Sequence, residues 1–492
     1  MNSAVIKSQR NETAMRNTFV IFGGTGDLTN RKLLPAFFHL LEEEKLPQEM
    51  AIVIIGRRPY SQEQYLAQLE TILSPKIIQN SIWKKLQSHL YYYQMNYENK
   101  EEYPSLEQFL SSVDEKHHTN HQRIYYLAVA PEYFAPIVDY LEENKLLHPV
   151  QGYPKVVIEK PFGKDLNSAS YLNGKIVSRF KEENTYRIDH YLGKEMLQNI
   201  MVIRFANALF EPIWNKDFIE QIQISSLETI GIETRGDYYE KSGATRDMAQ
   251  SHLLQLLSLV AMEKPASLSS DAIRDEKVKV LNRLKRYPEE EIHHHIVRAQ
   301  YQSYRQEPKV FSESSTETYF ALHATIDNPR WSGVPFFIRT GKKAAKKETE
   351  IIIQFKAIKN GLYPEVVNLP NFLVIKIQPS EGIFFQFNAK KPGTQSLIVP
   401  VQMDFCQNCQ TGINSPEAYE RLLFDVIRGD ATLFARWDEV KSSWEFIDSI
   451  MTHWANHPET LSFYPDNTWG PIASDELMRQ WGYQWINLGE KE

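Results

Sequence analysis

The sequence predicts an α/β domain with a doubly wound parallel sheet, followed by an α+β domain built on a large, mainly antiparallel sheet. Three observations lead to this prediction. A chain of 492 residues is too long for one hydrophobic core. Apolar strand-like runs alternate with helical patterns up to about residue 190. Further along, strand-like runs follow one another without intervening helices.

Strands and helices alternate in the N-terminal part of the chain. TFVIF (18–22) is an apolar strand, GGTGDLT (23–29) is a glycine-rich turn, and RKLLPAFFHLLEEEKL has the spacing of a helix. AIVIIGRR (51–58) is a second buried strand, so these segments form a βαβ unit. The alternation continues through RIYYLAVAPEYF (123–134) and PKVVIEKPFG (154–163). We therefore predict a Rossmann-like, doubly wound parallel sheet.

The rest of the chain has a different pattern. Several apolar runs alternate with a period of two, which is typical of a sheet with one covered face. The predicted strands are 218–228, 318–327, 348–355, 372–378, 382–388 and 397–405, and the predicted helices are 192–206, 244–262, 271–285 and 416–429. We expect a polar tail over residues 1–17, an α/β domain over 18–190 and an α+β domain over 191–492.

Composition excludes several classes of protein. Hydrophobic residues make up 42% and charged residues 24%, which are ordinary values for a soluble globular protein. The net charge of -7 argues against nucleic acid and anionic membrane as partners. No apolar run approaches the ~18 residues of a membrane span. The polar N-terminal segment lacks the apolar core of a signal peptide, so we expect a cytoplasmic protein.

Two short motifs resemble metal sites, and we expect neither to bind a metal. Cys406 and Cys409 form a Cys-x-x-Cys, but no second pair or nearby histidine completes a tetrahedron. We interpret them as two incidental thiols in a reducing compartment. EEEIHHH (289–295) has three consecutive histidines, and neighbouring side chains on a helix or strand point apart.

The glycine turn after the first strand indicates a dinucleotide site. Gly23 would permit the tight turn and Gly26 the close approach of a pyrophosphate, with Thr29 where the third small residue belongs. The alternative is a plain connecting turn. Arg57 and Arg58 follow the second strand, where an NAD site has an acid. A guanidinium can bind a 2′-phosphate, so the position of the two arginines favours NADP as the cofactor. The alternative is that they are two exposed arginines at a strand end with no ligand.

RIDHYLGKE (187–195) brings an acid, an imidazole and an amine together just before a helical pattern. With EKPFGKDLNSA and the glycine turn, this motif makes the chain closely resemble the glucose-6-phosphate dehydrogenase family over nearly its whole length. The other matching blocks are YLAVAP, RFAN, FEPIWN, RDMAQSH, IRDEKVKVL, VPFFIRTGKK, IQPSEGI and PEAYERLLFDVIRGD. The chain departs from the family at Ser251, usually Asn, and at Thr234 and Asp237, usually glycines. These changes affect loop geometry and leave the polar catalytic residues in place.

The resemblance implies an activity and a cofactor. The reaction would oxidise β-D-glucose 6-phosphate at C1 to 6-phospho-D-glucono-1,5-lactone, with hydride transfer to NADP, the first step of the oxidative pentose phosphate pathway. The first domain would bind the dinucleotide and the second would bind substrate and form a homodimer or homotetramer. The cofactor-binding residues would be Gly23, Gly24, Thr25, Gly26, Asp27, Leu28, Arg57, Arg58, Tyr126 and Lys160.

The resemblance also assigns the catalytic pair. His252, in RDMAQSHLLQLL, would take the hydroxyl proton, because imidazole titrates near neutrality. Asp189 would orient its ring and stabilise the imidazolium. The alternative for His252 is a histidine beside the apolar face of a helix. Asp247 precedes His252 by five residues, so in an α-helix the two would differ by about 140° and would not share a face.

Substrate recognition follows from the same resemblance. His190, Tyr191 and Lys194 would bind the phosphate at the start of a helix, whose dipole favours a dianion. Lys160 would lie between substrate and nicotinamide, and its bond to Pro161 is of the type that can be cis. The further sugar-phosphate contacts would be Glu228, Asp247, Lys342 and Lys347. Without the resemblance, GKKAAKK would be interpreted as a solvated basic loop.

Two other functions remain open. One is another NAD(P)-dependent sugar dehydrogenase with a Rossmann domain, a Glu-Lys-Pro motif and an antiparallel sheet, but those enzymes lack RIDHYLGKE. The other is a non-catalytic NADP-binding redox sensor, as degenerate dehydrogenase folds can be. A sensor would be expected to have lost the base or the phosphate ligands. Asp189, His190, Lys194, His252 and Lys347 are all present.

Overall fold

The computed structural model describes residues 16–148, 153–358, 362–363, 369–393, 397–406 and 418–487. The chain divides into two compact units. The first comprises Met1–Gly193, Ser267–Arg274 and Pro416–Lys441, and the second comprises Lys194–Ala266, Asp275–Ser415 and Ser442–Glu492. The main division thus falls three residues after the boundary expected from the sequence. Most of the predicted tail, residues 1–15, lies outside the described residues.

Sixteen strands and fifteen α-helices form the described parts of the two units. The strands are β1 (Asn17–Phe22), β2 (Met50–Gly56), β3 (Leu90–Gln94), β4 (Arg123–Leu127), β5 (Lys155–Ile158), β6 (Thr185–Ile188), β7 (Ile219–Leu227), β8 (Ile296–Tyr301), β9 (Tyr319–Ala324), β10 (Phe336–Gly341), β11 (Glu348–Phe355), β12 (Phe372–Gln378), β13 (Gly382–Lys390), β14 (Ile398–Cys406), β15 (Phe434–Ala435) and β16 (Leu461–Tyr464). The α-helices are α1 (Leu34–Glu42), α2 (Gln62–Ile72), α3 (Pro75–Ile78), α4 (Ser81–His89), α5 (Tyr103–His117), α6 (Phe134–Glu143), α7 (Leu166–Phe180), α8 (Glu195–Ala206), α9 (Gly236–Ala244), α10 (Leu254–Ala261), α11 (Ser270–Asn282), α12 (Glu289–Ile292), α13 (Ala418–Arg428), α14 (Trp437–Asn456) and α15 (Ile472–Gln480). Two π-helical segments, Thr29–Leu33 and Thr245–Leu253, directly precede α1 and α10.

The first unit is built on a seven-stranded sheet in the order β15-β6-β5-β4-β1-β2-β3. All pairs are parallel except the short β15, which runs antiparallel to β6. Strands β1 and β2 are buried along their whole length, as their continuous apolar runs predict. Because the chain order reverses between β1 and β4, a crevice forms outside the carboxyl ends of these strands. The predicted doubly wound fold is confirmed.

The second unit contains a nine-stranded sheet in the order β14-β13-β12-β11-β7-β10-β9-β8-β16. Its neighbours are antiparallel except for β7 with β10 and β8 with β16, so the predicted large, mainly antiparallel sheet is confirmed. Helix α8 packs against β12, and α15 packs against β8 and β9. No helix in the described part of the chain has the length and apolar character needed to cross a bilayer.

Several elements differ from the sequence prediction. Strands β3, β6, β8, β10, β15 and β16 were not predicted. Strands β6, β8 and β10 contain the buried charged residues Arg187, Arg298 and Arg339, which interrupt the apolar pattern that identifies a strand. Cys406 is disulfide-bonded, so the expectation of a free thiol there is wrong. Cys409 lies outside the described residues.

Candidate active site

The glycine turn of the first unit has no room for side chains at its first two positions. Gly23 has a φ of +84°, and a Cβ there would lie 2.2 Å from the carbonyl oxygen of Ala128. A Cβ on Gly24 would lie 2.0 Å from Cγ2 of Ile54. The turn closes through a 3.0 Å hydrogen bond from the Gly26 amide to the Gly23 carbonyl. Glycine is therefore required for β1, β2 and β4 to meet this turn closely.

The turn leaves the start of the following helix open. Gly26 and Asp27 are exposed, and Thr25 and Leu28 are half-buried. The first helical segment is π-helical and continues into α1, so its free backbone amides lie at the carboxyl edge of the sheet. Backbone amides at a helix start can bind an anion such as a pyrophosphate. The six predicted turn residues, 23–28, therefore lie together in the place expected for a dinucleotide.

The arginine pair lies just after the neighbouring strand β2, at the same carboxyl edge of the sheet. Arg57 and Arg58 directly follow β2 and are both exposed. The Arg57 guanidinium lies 5.4 Å from the centre of the Tyr97 ring and 3.6 Å from Oε2 of Glu98. Glu98 follows β3, and its sequence position gave no sign that it would lie beside Arg57. The two guanidinium groups can bind a phosphate, and one of them already has an acidic neighbour.

A half-buried acid, Glu159, lies beside β4. Tyr126 is fully buried in β4, and its phenol donates a 2.5 Å hydrogen bond to Oε1 of Glu159. Tyr419 donates to the same oxygen at 3.2 Å. Burial raises the pKa of Glu159 to about 7, although these hydrogen bonds and Lys160 act in the opposite direction. Since the Tyr126 phenol is engaged and covered, its side chain does not face an open site. Sequence reasoning missed both Glu159 and Tyr419.

The segment after β5 has a specific backbone. The Lys160–Pro161 bond is cis. Gly163 has a φ of +82°, and a Cβ there would lie 2.5 Å from the Ala169 amide nitrogen at the start of α7. Asp165 caps that helix by accepting from the Ser168 amide at 2.7 Å. The EKPFG motif is therefore a fixed turn at the carboxyl edge of the sheet, with Lys160 half-buried.

The RIDHY part of the polar motif also belongs to the first unit. Arg187 is buried and donates to Glu182 at 2.6 Å and to Asn173 at 2.5 Å, so its role is structural. Asp189 is 1% exposed, and its Oδ1 accepts from the Tyr191 amide at 3.0 Å. His190 is half-buried with its ring 5.1 Å from that of Tyr191. The motif thus has a fixed carboxylate followed by a partly exposed imidazole.

A cationic cluster lies at the start of α8 in the second unit. Lys194 immediately precedes the helix. Burial lowers the pKa of Lys194 to about 8, with Glu381 acting to raise it and Lys347 to lower it. The predicted phosphate ligands Lys194 and Lys347 therefore interact with each other. Glu381, from IQPSEGI, was not among the predicted site residues. Its negative charge acts to raise the pKa of Lys194.

A second acid–lysine pair lies where β7 and β10 end. Lys342 donates a short hydrogen bond to Oε2 of Glu228. The two backbones also meet, since the Glu228 amide donates to the Gly341 carbonyl at 2.9 Å. Lys342 lies 5.3 Å from the centre of the Tyr239 ring. The predicted sugar ligands Glu228 and Lys342 are therefore direct neighbours, because β7 and β10 are parallel and end together.

The helix that contains His252 is not the α-helix assumed from the sequence. Residues 245–253 are π-helical, and α10 begins only at Leu254. A π-helix pairs residues five apart in its hydrogen bonds, so Asp247 and His252 lie about one turn apart along it. The expected separation of about 140° is therefore wrong. His252 is buried and Asp247 is half-buried and accepts from the Tyr238 phenol at 3.1 Å.

A buried glutamate supports the start of this π-helix. Glu317 accepts from the Thr245 amide at 2.9 Å through its carboxylate and from the Ala244 amide at 2.9 Å through its carbonyl. A Cβ on Gly243, which has a φ of +63°, would lie 2.4 Å from that carboxylate. Nothing in the local sequence identified Glu317, because it lies more than sixty residues away.

The departures from the family pattern lie around these features. Thr234 and Asp237 are exposed, and Asp237 pairs with Lys309 at 2.7 Å. Gly236 between them is retained, and a Cβ there would lie 2.2 Å from the Pro308 carbonyl oxygen. Ser251 is buried beside His252. Thr234 and Asp237, which replace the two family glycines, therefore have side chains that reach solvent.

The structure groups the predicted residues within each unit. The cofactor residues of the first unit lie at or near the carboxyl edge of its sheet, with Tyr126 covered. In the second unit Glu228 contacts Lys342, and Lys194 interacts with Lys347. Asp189 belongs to the first unit and His252 to the second. Their pairing therefore stays a prediction.

Comparisons with known proteins cover almost the whole chain. A family model described as glucose-6-phosphate dehydrogenase, NAD binding domain, matches residues 20–199, and one for the C-terminal domain of the same enzyme matches residues 201–486. Glucose-6-phosphate 1-dehydrogenase of Bacillus subtilis is 44% identical over 481 residues, covering 95% of this chain and 98% of the relative. The protein of the same name from Chlamydia muridarum is 42% identical over 490 residues, covering 95% and 96%.

Solved structures of the same name have a similar fold. A glucose-6-phosphate dehydrogenase in complex with its substrate glucose-6-phosphate matches with a TM-score of 0.88 and 32% identity, covering 96% of this chain and 99% of that one. The glucose-6-phosphate 1-dehydrogenase of Mycobacterium avium matches with a TM-score of 0.84 and 31% identity, covering 97% and 99%.

Proposed function

This chain belongs to the glucose-6-phosphate dehydrogenase family, and on that premise we propose that it oxidises β-D-glucose 6-phosphate at C1 to 6-phospho-D-glucono-1,5-lactone. The hydride would pass to NADP, and the reaction would be the first step of the oxidative pentose phosphate pathway. The main support is the match to both family domains together with the presence of every predicted catalytic and phosphate-binding residue.

The residues of the first unit fit a bound dinucleotide. The turn around Gly23 and Gly24 has no space for a side chain, which allows β1 and the following helix to approach a pyrophosphate closely. Arg57 and Arg58 would hold the 2′-phosphate, since both are exposed at the end of β2. NADP, when bound, would accept the hydride. The buried Tyr126 would act through Glu159, by fixing the backbone that presents Lys160.

His252 would act as the base. The C1 hydroxyl must lose its proton as the hydrogen bonded to carbon C1 leaves as hydride, and a buried imidazole can accept that proton. Asp189, held by the Tyr191 amide, would hydrogen-bond the other ring nitrogen and balance the charge that forms. The π-helix would present Asp247 one turn before His252, where its carboxylate can accept from a sugar hydroxyl.

Substrate binding would use two groups of residues. His190, Tyr191, Lys194 and Lys347 would bind the phosphate, because a dianion needs concentrated positive charge in a chain of net charge -7. Glu228 would accept from a sugar hydroxyl with the carboxylate that Lys342 orients. Lys160 would lie between sugar and nicotinamide.

We also propose a cytoplasmic location and a homodimer or homotetramer. The proposed substrate and cofactor are both phosphorylated anions, which do not cross a bilayer unaided. The edge strand β14 exposes Met403 and Phe405, apolar side chains that a second copy could cover. Sedimentation of the purified chain would give the oligomeric state.

A direct assay tests the proposed function. Absorbance of the reduced nicotinamide is followed with glucose 6-phosphate, galactose 6-phosphate and unphosphorylated glucose, each with NADP and with NAD. We expect rapid reduction only with glucose 6-phosphate, and a preference for NADP. A better rate with another sugar would support the alternative of a related sugar dehydrogenase. Cofactor binding without turnover of any sugar would support the redox-sensor alternative.

A further inference from the structure

Three possible metal ligands meet in the second unit, away from every residue assigned above. They are Glu289, the first residue of α12, His453 in the last turn of α14, and His457 just after that helix. One ligand atom from each residue lies within 4.8 Å of the others. His453 lies 164 residues and His457 168 residues after Glu289 in the sequence, so only the fold brings them together.

The distances within this cluster are short. Nδ1 of His453 lies 2.9 Å, and Nε2 of His457 3.4 Å, from Oε1 of Glu289. The two imidazole rings lie 4.6 Å apart because residues four positions apart face the same side of a helical turn. Arg298 donates to the His457 carbonyl at 2.9 Å, which holds the chain in place as it leaves α14.

The surroundings of His457 suit a metal ligand. Nδ1 of His457 lies 3.0 Å from Oε1 of Glu459, so its other nitrogen can face the cluster. A carboxylate on the far side of an imidazole is the usual outer support of a metal-bound histidine. His453 is only 5% exposed, and its Nε2 is buried without a hydrogen-bond partner among the described residues. The nitrogen that His453 presents to the cluster is therefore Nδ1, 2.9 Å from Oε1 of Glu289.

The remaining coordination positions are accessible. The Glu289 and His457 side chains are 49% and 42% exposed, so water can reach the cluster from one side. His293, four residues after Glu289, lines the same cavity as His453. It interacts electrostatically with both His453 and His457.

The run of three histidines after Glu289 does not itself form the cluster. His295 is buried with its Nδ1 3.0 Å from Nδ1 of His323, and thus points elsewhere. Consecutive histidines that point apart are therefore compatible with a metal site at Glu289. The ligands come from Glu289 at the start of that run and from α14, not from three neighbours.

We propose that Glu289, His453 and His457 bind a divalent transition-metal ion of the Zn²⁺ class, with water completing the coordination. Two imidazoles and a carboxylate form a donor set that binds such ions in preference to Mg²⁺ or Ca²⁺. The ion would hold the segment around α12 to the end of α14 and stabilise the second unit. This site would be independent of the proposed dehydrogenase activity.

Cobalt binding tests the proposal on the metal-free, full-length chain. Co²⁺ is titrated while its visible absorption is recorded, and Zn²⁺ is then added. We expect a band of nitrogen and oxygen ligation that Zn²⁺ abolishes, and a thermal midpoint that rises with the metal. His457→Ala should weaken the binding by at least about tenfold. His148→Ala, which removes another exposed histidine paired with a glutamate (Glu142), should bind as the parent does.

A second variant guards against a folding defect. Glu289→Gln keeps an acceptor for His453 and removes the charge, so it should fold and bind Co²⁺ more weakly than the parent. Equal Co²⁺ binding by the parent, His457→Ala and Glu289→Gln would overturn the proposal. The absence of a Co²⁺ band in the parent would also overturn it.

Discussion

The phenol of Tyr126 and the carboxylate of Glu159 are joined by a 2.5 Å hydrogen bond beneath the carboxyl edge of the first sheet. This bond links β4 to the residue that precedes Lys160. Tyr419 makes a second bond to the same carboxylate oxygen from α13. Glu159 is therefore held from two sides while burial keeps its pKa near 7.

Glu159 should make folding stability depend on pH. Its pKa is raised to about 7 in the folded chain and would be near 4.5 when unfolded. Between these values the folded state binds the extra proton, so this contribution to stability falls as pH rises through the window. The free energy of unfolding of Glu159→Gln minus that of the parent should therefore increase by roughly 2–3 kcal/mol between about pH 5 and about pH 8.

Urea unfolding of the two proteins at several pH values measures this difference. The exposed Glu132→Gln is the matched control from the same unit, and its difference from the parent should not change with pH. A constant difference between Glu159→Gln and the parent across the range would mean that Glu159 ionises normally in the folded chain.

Cofactor preference should depend on Arg57 and Arg58. Changing both to Ala should raise KM for NADP about tenfold to a hundredfold, because charge-assisted hydrogen bonds of ~1.5–3 kcal/mol are lost. KM for NAD should change little. Glu98→Gln should lower KM for NADP, since it removes a carboxylate 3.6 Å from Arg57 that opposes the 2′-phosphate. An equal change in KM for both cofactors in the double variant would contradict this assignment.

Phosphate recognition should weaken at high pH. Because burial lowers the pKa of Lys194 to about 8, the free enzyme loses this positive charge as pH rises above that value. KM for glucose 6-phosphate should therefore increase above about pH 8, and Lys194→Arg should remove that increase because arginine stays charged. Lys194→Ala should raise KM about tenfold to a hundredfold near neutrality.

The control for phosphate recognition is Lys391→Ala, an exposed lysine of the same unit, which should leave KM unchanged. Activity on unphosphorylated glucose separates the possible roles of Lys194. If Lys194→Ala lost activity equally on glucose and glucose 6-phosphate, the residue would have a catalytic or structural role instead.

Turnover should depend on His252 and Asp189. His252→Asn should lower kcat by ~10²–10⁴-fold with little change in the substrate dissociation constant, since a general base contributes about that factor. Asp189→Asn should also lower kcat, because the amide supplies no charge and can hold the wrong tautomer. The parent should lose activity as acid protonates His252, and this limb of the pH profile should disappear in His252→Asn.

His190→Asn is the comparison for His252→Asn. It should act mainly on substrate binding, because His190 is assigned to the phosphate. Loss of turnover with intact binding in His190→Asn, together with an active His252→Asn, would show that the two assignments are reversed.

Glycine substitutions should separate the nucleotide turn from an ordinary helix position. Gly24→Ala should destabilise the chain by ~1–3 kcal/mol and weaken NADP binding, because its Cβ would overlap Ile54. Gly174→Ala in α7 should stabilise the chain by about 0.5–1 kcal/mol, since nothing lies within 4 Å of the added Cβ. Thermal unfolding with and without NADP measures both effects. A Gly24→Ala chain as stable as the parent would show that the turn has spare room.

Local sequence was enough for much of the fold and for the identity of the motifs. The apolar runs of β1 and β2 and the glycines at 23 and 24 depend on neighbours within a few residues, and periodicity and turn chemistry report such relationships directly. The same holds for the apolar, strand-like runs of β11 to β14. The family motifs then supplied the predicted site residues, because these motifs are contiguous stretches of chain.

Contacts between distant segments could not be read in this way. Glu98 lies beside Arg57 because β3 pairs with β2, and Tyr419 reaches Glu159 across 260 residues. Glu289 meets His453 only through the packing of α12 and α14 in the second unit. Such pairs depend on strand order and helix packing, which are set by the burial of the whole chain rather than by any one segment.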